Sequence, residues 1–201
     1  MFWDNVACVY DLFADVINRR ANQRLCSVVE NMIGENDNVL ECACGTGLLS
    51  GVIAKKCRQL TATDFSPKML VRAEKKYGRL ANIRFETADI LHLNYPDGIF
   101  DAVVAANVIH LLDAPETALA ELRRVCRNGG KIILPTYMNR NASGDVGGVS
   151  RAIDRFGANF RHKFTPEAYR HFLETAGYAD VRYTLCEGRI PCMVALIYNQ
   201  A

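Results

Sequence analysis

Short apolar runs rich in β-branched residues alternate along this chain with longer stretches patterned at helical period, and that alternation leaves few folds open. Residues 38–42, 59–63, 83–87, 100–105 and 131–135 are candidate strands, each too continuously apolar or too short to lie half-exposed in a meander. Such runs suit a parallel sheet covered by helices on both faces. Residues 180–186 and 190–198 follow, separated by the short Glu187-Gly188-Arg189 connection, which favours a C-terminal antiparallel hairpin closing the sheet edge. The expected architecture is an α/β, doubly wound, mostly parallel sheet of about seven strands.

The helices between the strands signal their ends. Ser66-Pro67, Asp113-Ala114-Pro115 and Thr165-Pro166 each place a capping side chain near a proline tolerated in the first turn, and Gly78, Gly129 and Gly177 stand where a left-handed residue closes a helix. On the helix after Pro115, Leu119, Leu122 and Val125 or Cys126 form one stripe toward the sheet, which leaves Glu116, Glu121, Arg123 and Arg124 for water. Residues 138–164, rich in Asn, Ser and Gly, break the rhythm and read as an insertion with a short helix around 152–156.

At 201 residues the chain has room for one domain, and 50% hydrophobic with 23% charged residues marks a globular protein with a core. Lys and Arg number 24 against 22 Asp and Glu, a net charge of +2 that offers no basic field for nucleic acid. The first residues carry Asp4, Asp11 and Asp15 without a leading basic group, unlike a signal peptide, and no uncharged run approaches a membrane span. The eight cysteines are accordingly expected to be reduced thiols in a cytoplasmic protein.

The segment Val39-Leu40-Glu41-Cys42-Ala43-Cys44-Gly45-Thr46-Gly47-Leu48-Leu49-Ser50 carries the chemistry. A strand ends in an acidic residue, the chain turns through small residues, and a helix starts immediately after, so backbone can approach a ligand closely and free amides can donate to it. The plain alternative is a strand-to-helix turn that needs glycine for packing. Asp64 ends the next strand about 20 residues on, the spacing at which an open α/β sheet sets a carboxylate against ribose hydroxyls. Glu41, Asp64, Asp89 and Asn107 all fall near strand ends and are expected to converge on one crevice. Glu41 would repel a pyrophosphate but attract an ammonium, which favours a ligand joining an amino acid to an adenosine.

These residues resemble the class I S-adenosylmethionine-dependent methyltransferases, a Rossmann-like family, over nearly the whole chain. Glu41-Cys42-Ala43-Cys44-Gly45-Thr46-Gly47 is similar to the family's first motif, with Ala43 where many members have glycine. The resemblance implies that Glu41 and the loop backbone of Ala43, Gly45, Thr46 and Gly47 hold the methionine part. It also implies that Asp64 takes the ribose hydroxyls with Phe65 beside the adenine, and that Ala88-Asp89-Ile90 is the adenine-edge motif, Asp89 accepting from the exocyclic amine. Phe100 to Asn107 resembles the fourth-strand motif leading toward the reacting methyl, and Asn128-Gly129-Gly130-Lys131-Ile132 the glycine turn before the fifth strand. The opening from Trp3 to Asp11 is similar to that of the small-molecule branch, which includes quinone-biosynthesis C-methyltransferases and in which Tyr10 would fold over the cofactor.

Methyl transfer from a sulfonium is an in-line displacement that needs proximity and dryness more than a nucleophilic triad. Where the acceptor must lose a proton, His110 is the candidate base; otherwise it packs or caps. Tyr137 and Tyr10 would line the acceptor pocket with residues 138–164, and residues 1–36 would form a helical lid on a single domain spanning 1–201. Cys42-x-Cys44, and Cys186 with Cys192, match no structural zinc spacing and are expected to be small buried hydrophobes; thiols gripping a soft metalloid acceptor are the minor alternative. Asn107-Val108-Ile109-His110 lacks the Pro-Pro-aromatic sequence of nucleobase amino-methylating enzymes, so a small-molecule acceptor is expected. Two rivals remain, a nicotinamide-dependent oxidoreductase on a similar sheet and a non-catalytic cofactor-binding module.

Overall fold

The computed structural model describes residues 18–139 and 162–200. The elements run α1 (Arg19–Met32), β1 (Asn38–Cys42), α2 (Ser50–Lys56), β2 (Gln59–Asp64), α3 (Pro67–Tyr77), β3 (Ile83–Thr87), β4 (Phe100–Ala105), a 3₁₀ turn (Ile109–Leu111), α4 (Pro115–Val125), β5 (Cys126–Tyr137), α5 (Pro166–Thr175), β6 (Val181–Cys186) and β7 (Cys192–Tyr198). One seven-stranded sheet has the order β3-β2-β1-β4-β5-β7-β6. Its first five strands are parallel, while β7 runs antiparallel between β5 and β6. The strand order reverses between β1 and β4, and a crevice opens at such a point outside the carboxyl ends of the strands.

The two-residue alternation of the central strands divides their side chains between two cores. Leu40, Val103, Ala105, Ile132 and Leu134 face α4 and α5, where Leu119, Leu122, Tyr169 and Leu173 meet them. Val39, Leu60, Ala102, Val104 and Ile133 face the other way, toward Leu25 and Val29 of α1 and Ile53 of α2. Both faces are covered, which is why these strands read as continuous apolar runs.

Several boundaries differ from expectation. β5 starts at Cys126, not 131, so Asn128, Gly129 and Gly130 lie inside the strand. There Gly129 adopts φ +70, the register with β4 shifts between Phe100 and Ala102, and Asn199 beyond β7 pairs with Gly129 and Gly130. Gly129 therefore does not close α4, which ends at Val125, and Gly78 closes α3 in the right-handed region at φ −63. Gly177 does take a left-handed φ, +89, one residue past the α5 C-cap. Ser66 and Thr165 cap α3 and α5, accepting the backbone N–H of Met69 and Ala168, whereas the N-cap of α4 falls on Ala114, which has no capping side chain. Glu121 and Arg124 are half-buried instead of water-facing, because they grip the segment before β4. Tyr10, the rest of the opening motif and nearly all of the insertion, including residues 152–156 where a short helix is expected, lie outside the described residues. Among the described residues no helix is long and apolar enough to cross a membrane.

Candidate functional site

Glu41 is the penultimate residue of β1, between Ala62 of β2 and Val104 of β4 in the sheet register. Its carboxylate is buried and accepts the Ser50 hydroxyl at 2.6 Å. Burial pushes the Glu41 carboxyl up to about 8; the Ser50 hydrogen bond opposes the shift, and the nearby Asp64 charge adds to it.

The turn from Ala43 to Gly47 is bent by backbone in the left-handed region: Ala43 at φ 54, Gly45 at 56 and Gly47 at 89. Ala43 is the one departure from glycine among the three, and a left-handed alanine carries strain. The tip is latched to the neighbouring strand end. The Gly45 N–H donates to Asp64 Oδ2 at 2.8 Å, the Ser66 N–H donates to Asp64 Oδ1 at 2.8 Å, and the Cys44 N–H reaches the Thr63 carbonyl at 2.8 Å. Both Asp64 oxygens are thus aimed by backbone donors. A Cβ on Gly45 would meet nothing within 4 Å among the described residues, so the turn is open to them on that side, whereas one on Gly47 would come within 3.0 Å of the Tyr77 ring. Thr46 is buried.

Phe65, directly after Asp64, is 54% exposed although large and apolar. Asp89 follows β3; its Oδ1 accepts the Leu91 N–H at 2.9 Å and its Oδ2 lies 3.6 Å from His92 Nδ1, while Ile90 beside it is buried. Asn107 follows β4 at φ 54, its N–H donating to the Pro135 carbonyl at 2.7 Å and its Oδ1 accepting the Cys192 thiol at 3.8 Å. The parallel topology sets Glu41, Asp64, Asp89 and Asn107 at one edge of the sheet.

His110 lies in the 3₁₀ turn, not at the start of α4, and is 2% exposed. Burial, and then the proximity of His162, lowers its pKa to about 3, so it is a neutral imidazole. Its ring centroid is 6.2 Å from that of Tyr137 at the end of β5. The backbone also brings His162 to this corner, its N–H donating to the His110 carbonyl at 3.1 Å. Ser66 as a backbone donor to Asp64, Cys192 against Asn107 and His162 against His110 were not legible in the sequence, since the last two join segments 85 and 52 residues apart. Cys186 and Cys192 are register partners across the hairpin, both buried free thiols.

A family model described as "Methyltransferase domain" matches residues 40–134, the span from β1 into β5 that contains every described candidate except Tyr137. The chain is 30% identical over 151 residues to a phosphatidylethanolamine N-methyltransferase of Cereibacter sphaeroides, covering 74% of this chain and 72% of that one. It is 34% identical over 152 residues to a demethylmenaquinone methyltransferase of Deinococcus radiodurans, covering 73% of this chain and 63% of that protein's length. Among solved structures, an S-adenosylmethionine-dependent methyltransferase of Thermotoga maritima, titled a possible histamine N-methyltransferase, superposes with a TM-score of 0.77 at 18% identity. It covers 100% of this chain and 98% of that one. At that identity the likeness concerns the fold.

Proposed function

The chain belongs to the class I S-adenosylmethionine-dependent methyltransferases, and from that premise we propose that it transfers a methyl group to a small-molecule acceptor by in-line displacement. The cofactor is S-adenosylmethionine, whose sulfonium supplies an electrophilic methyl when bound. The residues present fit it. Asp64 is an anchored acceptor pair suited to ribose hydroxyls, Gly45 leaves its side of the turn open, and Glu41 offers a carboxylate to the ammonium. The observation that carries the reading is the Asp64 latch: one carboxylate holds the tip of the glycine turn and the start of α3 at the same time.

In this reading Phe65 flanks the adenine and Asp89 with Ile90 meets its edge, while Ala43, Thr46 and Gly47 shape the turn beneath the methionine part. Asn107, rigid at its left-handed φ, faces the reacting end. His110 and Tyr137 border the acceptor, where a neutral buried imidazole accepts a hydrogen bond from an acceptor hydroxyl and helps keep the site dry. Tyr10 and residues 138–164 would complete a single-domain enzyme by closing over cofactor and acceptor. The relatives named for phosphatidylethanolamine and demethylmenaquinone support a small organic acceptor, and a net charge of +2 supports one other than nucleic acid.

Calorimetric titration with S-adenosylmethionine, S-adenosylhomocysteine and NADH tests the cofactor. Binding of the first two alone is expected; binding of NADH alone transfers the fold to the oxidoreductase reading. Release of S-adenosylhomocysteine in the presence of quinols, phenols, amines, thiols or arsenite then tests the acceptor, and turnover on any of them eliminates a non-catalytic binding module.

A further inference from the structure

Asp89 lies in a segment, residues 88–99, that joins β3 to β4 without a strand of its own; at its start the Ala88 N–H donates to the Asp64 carbonyl at 3.2 Å, and past that anchor Asp89 and His92 form an isolated bridge. The Leu91 N–H on Asp89 Oδ1, and the His92 N–H on the Asp89 carbonyl at 3.0 Å, set the carboxylate by the turn 89–92. Its aim therefore depends on that turn as well as on the Ala88 anchor to the end of β2. A few residues further on, one guanidinium grips the segment. Arg124 of α4 donates to the carbonyls of Leu93 and Tyr95 at 2.7 Å each and to the Asp97 carboxylate at 2.7 Å. Its own backbone carbonyl accepts the Gly98 N–H at 2.9 Å. Glu121, one turn earlier, receives Arg124 Nε at 2.7 Å and Nη2 at 2.9 Å as a fork and accepts the Leu93 N–H at 2.7 Å. A planar fork with five donors can serve two carbonyls and two carboxylates at once, which a lysine ammonium cannot.

We propose that Arg124, held by Glu121, is a positioning residue for adenine specificity: it fixes the segment from which Asp89 presents its carboxylate to the exocyclic amine of the cofactor. The inference rests on the cofactor reading proposed above. An exocyclic amine donates to that carboxylate, whereas the carbonyl oxygen that replaces it in hypoxanthine meets it acceptor to acceptor. A site built to make such a bond rejects an analogue that lacks it, provided the carboxylate cannot swing away. Nothing in α4 touches the base in this account; its hold on Leu93, Tyr95 and Asp97 keeps the turn from yielding.

Binding of S-adenosylhomocysteine and S-inosylhomocysteine, measured by calorimetry, reads this selectivity without an acceptor. The unaltered protein is expected to favour the adenine compound on the order of tenfold to a hundredfold. In Arg124→Met and Arg124→Lys the preference should fall to within about threefold, with faster amide hydrogen exchange at Leu91 and Leu93 in the ligand-free protein. Val29→Ala, which opens a cavity in the opposite core, should lower Tm and keep the preference. A preference retained in both Arg124 variants overturns the inference alone. Equal binding of the two compounds by the unaltered protein overturns it together with the role of Asp89, and no binding of either overturns the cofactor reading beneath it. Should Arg124→Met fail to fold, Glu121→Gln, which weakens the fork but keeps the guanidinium, carries the same test.

Discussion

The Ser50 hydroxyl donates to Glu41 Oε2 across 2.6 Å where both residues are buried, so the carboxylate near the end of β1 is partnered by a side chain and screened from bulk solvent. Burial raises the Glu41 carboxyl to about 8 despite that bond, and an ammonium beside it would favour the ionised form. Binding of S-adenosylhomocysteine is therefore expected to release a proton below pH 8, with affinity rising toward pH 8 and levelling above it. Calorimetry in buffers of different ionisation enthalpy measures the release, and Glu41→Gln should flatten the slope; the same slope in that variant would remove Glu41 as the partner of the ammonium. Ligand-free stability moves the other way. A carboxyl raised in the folded state contributes stability that is present below the ordinary value of 4.5 and lost as pH rises through 8, so the protein should weaken over that window and Glu41→Gln should not.

Asp64→Asn tests the latch. An asparagine keeps one acceptor oxygen for the two N–H groups of Gly45 and Ser66 and turns an NH₂ toward the other. A hydrogen bond to a charged group contributes about 1.5–3 kcal/mol, so loss of the charge should weaken S-adenosylhomocysteine binding by at least about tenfold. An unchanged dissociation constant would place the ribose elsewhere.

The inner strands of the parallel half were legible because burial on both faces writes itself into the sequence as apolar runs: β1 and β4 have the expected limits and β2 gains only Asp64, and the partly exposed edge strand β3 also has the expected limits. The start of β5 was not, because Asn128, Gly129 and Gly130 look like a turn, and the backbone partner of Gly129 and Gly130 is Asn199, some 70 residues away. Distance along the chain also hid the grip of Arg124, whose partners lie between 27 and 31 residues before it. A helical wheel shows which residues avoid the core, and it cannot show that a loop covers them. The site carboxylates were legible because a strand end is a local position, whereas the surroundings that make His110 a neutral group include Tyr137 at the end of β5 and His162, 52 residues further along the chain.

Two glycines separate the site from the scaffold. Gly45→Ala costs the left-handed backbone, roughly 1–2 kcal/mol, since its Cβ meets no atom of the described residues within 4 Å; it should lower Tm by a few degrees and abolish cofactor binding, because the methyl enters the open side of the turn. Gly130→Ala drives a Cβ to 2.8 Å from the Arg127 carbonyl and 2.9 Å from that of Asp101, backbone atoms that cannot turn aside. A loss of about 1–3 kcal/mol is expected there with binding intact, because Gly130 lies near the start of β5, away from the carboxyl strand ends. Thermal melts beside calorimetry check both, and equal binding losses in the two variants would dissolve the distinction.

His110 should not titrate near neutrality. Burial, with His162 nearby, lowers it to about 3 from an ordinary value of 6.5, so its contribution to stability is present above pH 6.5 and is lost as pH falls through 3. The Cε1–H resonance of His110 should stay constant between pH 5 and 8, and His110→Gln should reduce the destabilisation between pH 6.5 and 4. A neutral ring of such low basicity accepts a hydrogen bond but stores no proton at pH 7, so an acceptor that needs deprotonation must pass its proton onward to solvent or to another group. A titration of that resonance near 6.5 would instead return His110 to the role of a general base, and the pH profile of turnover should then follow it.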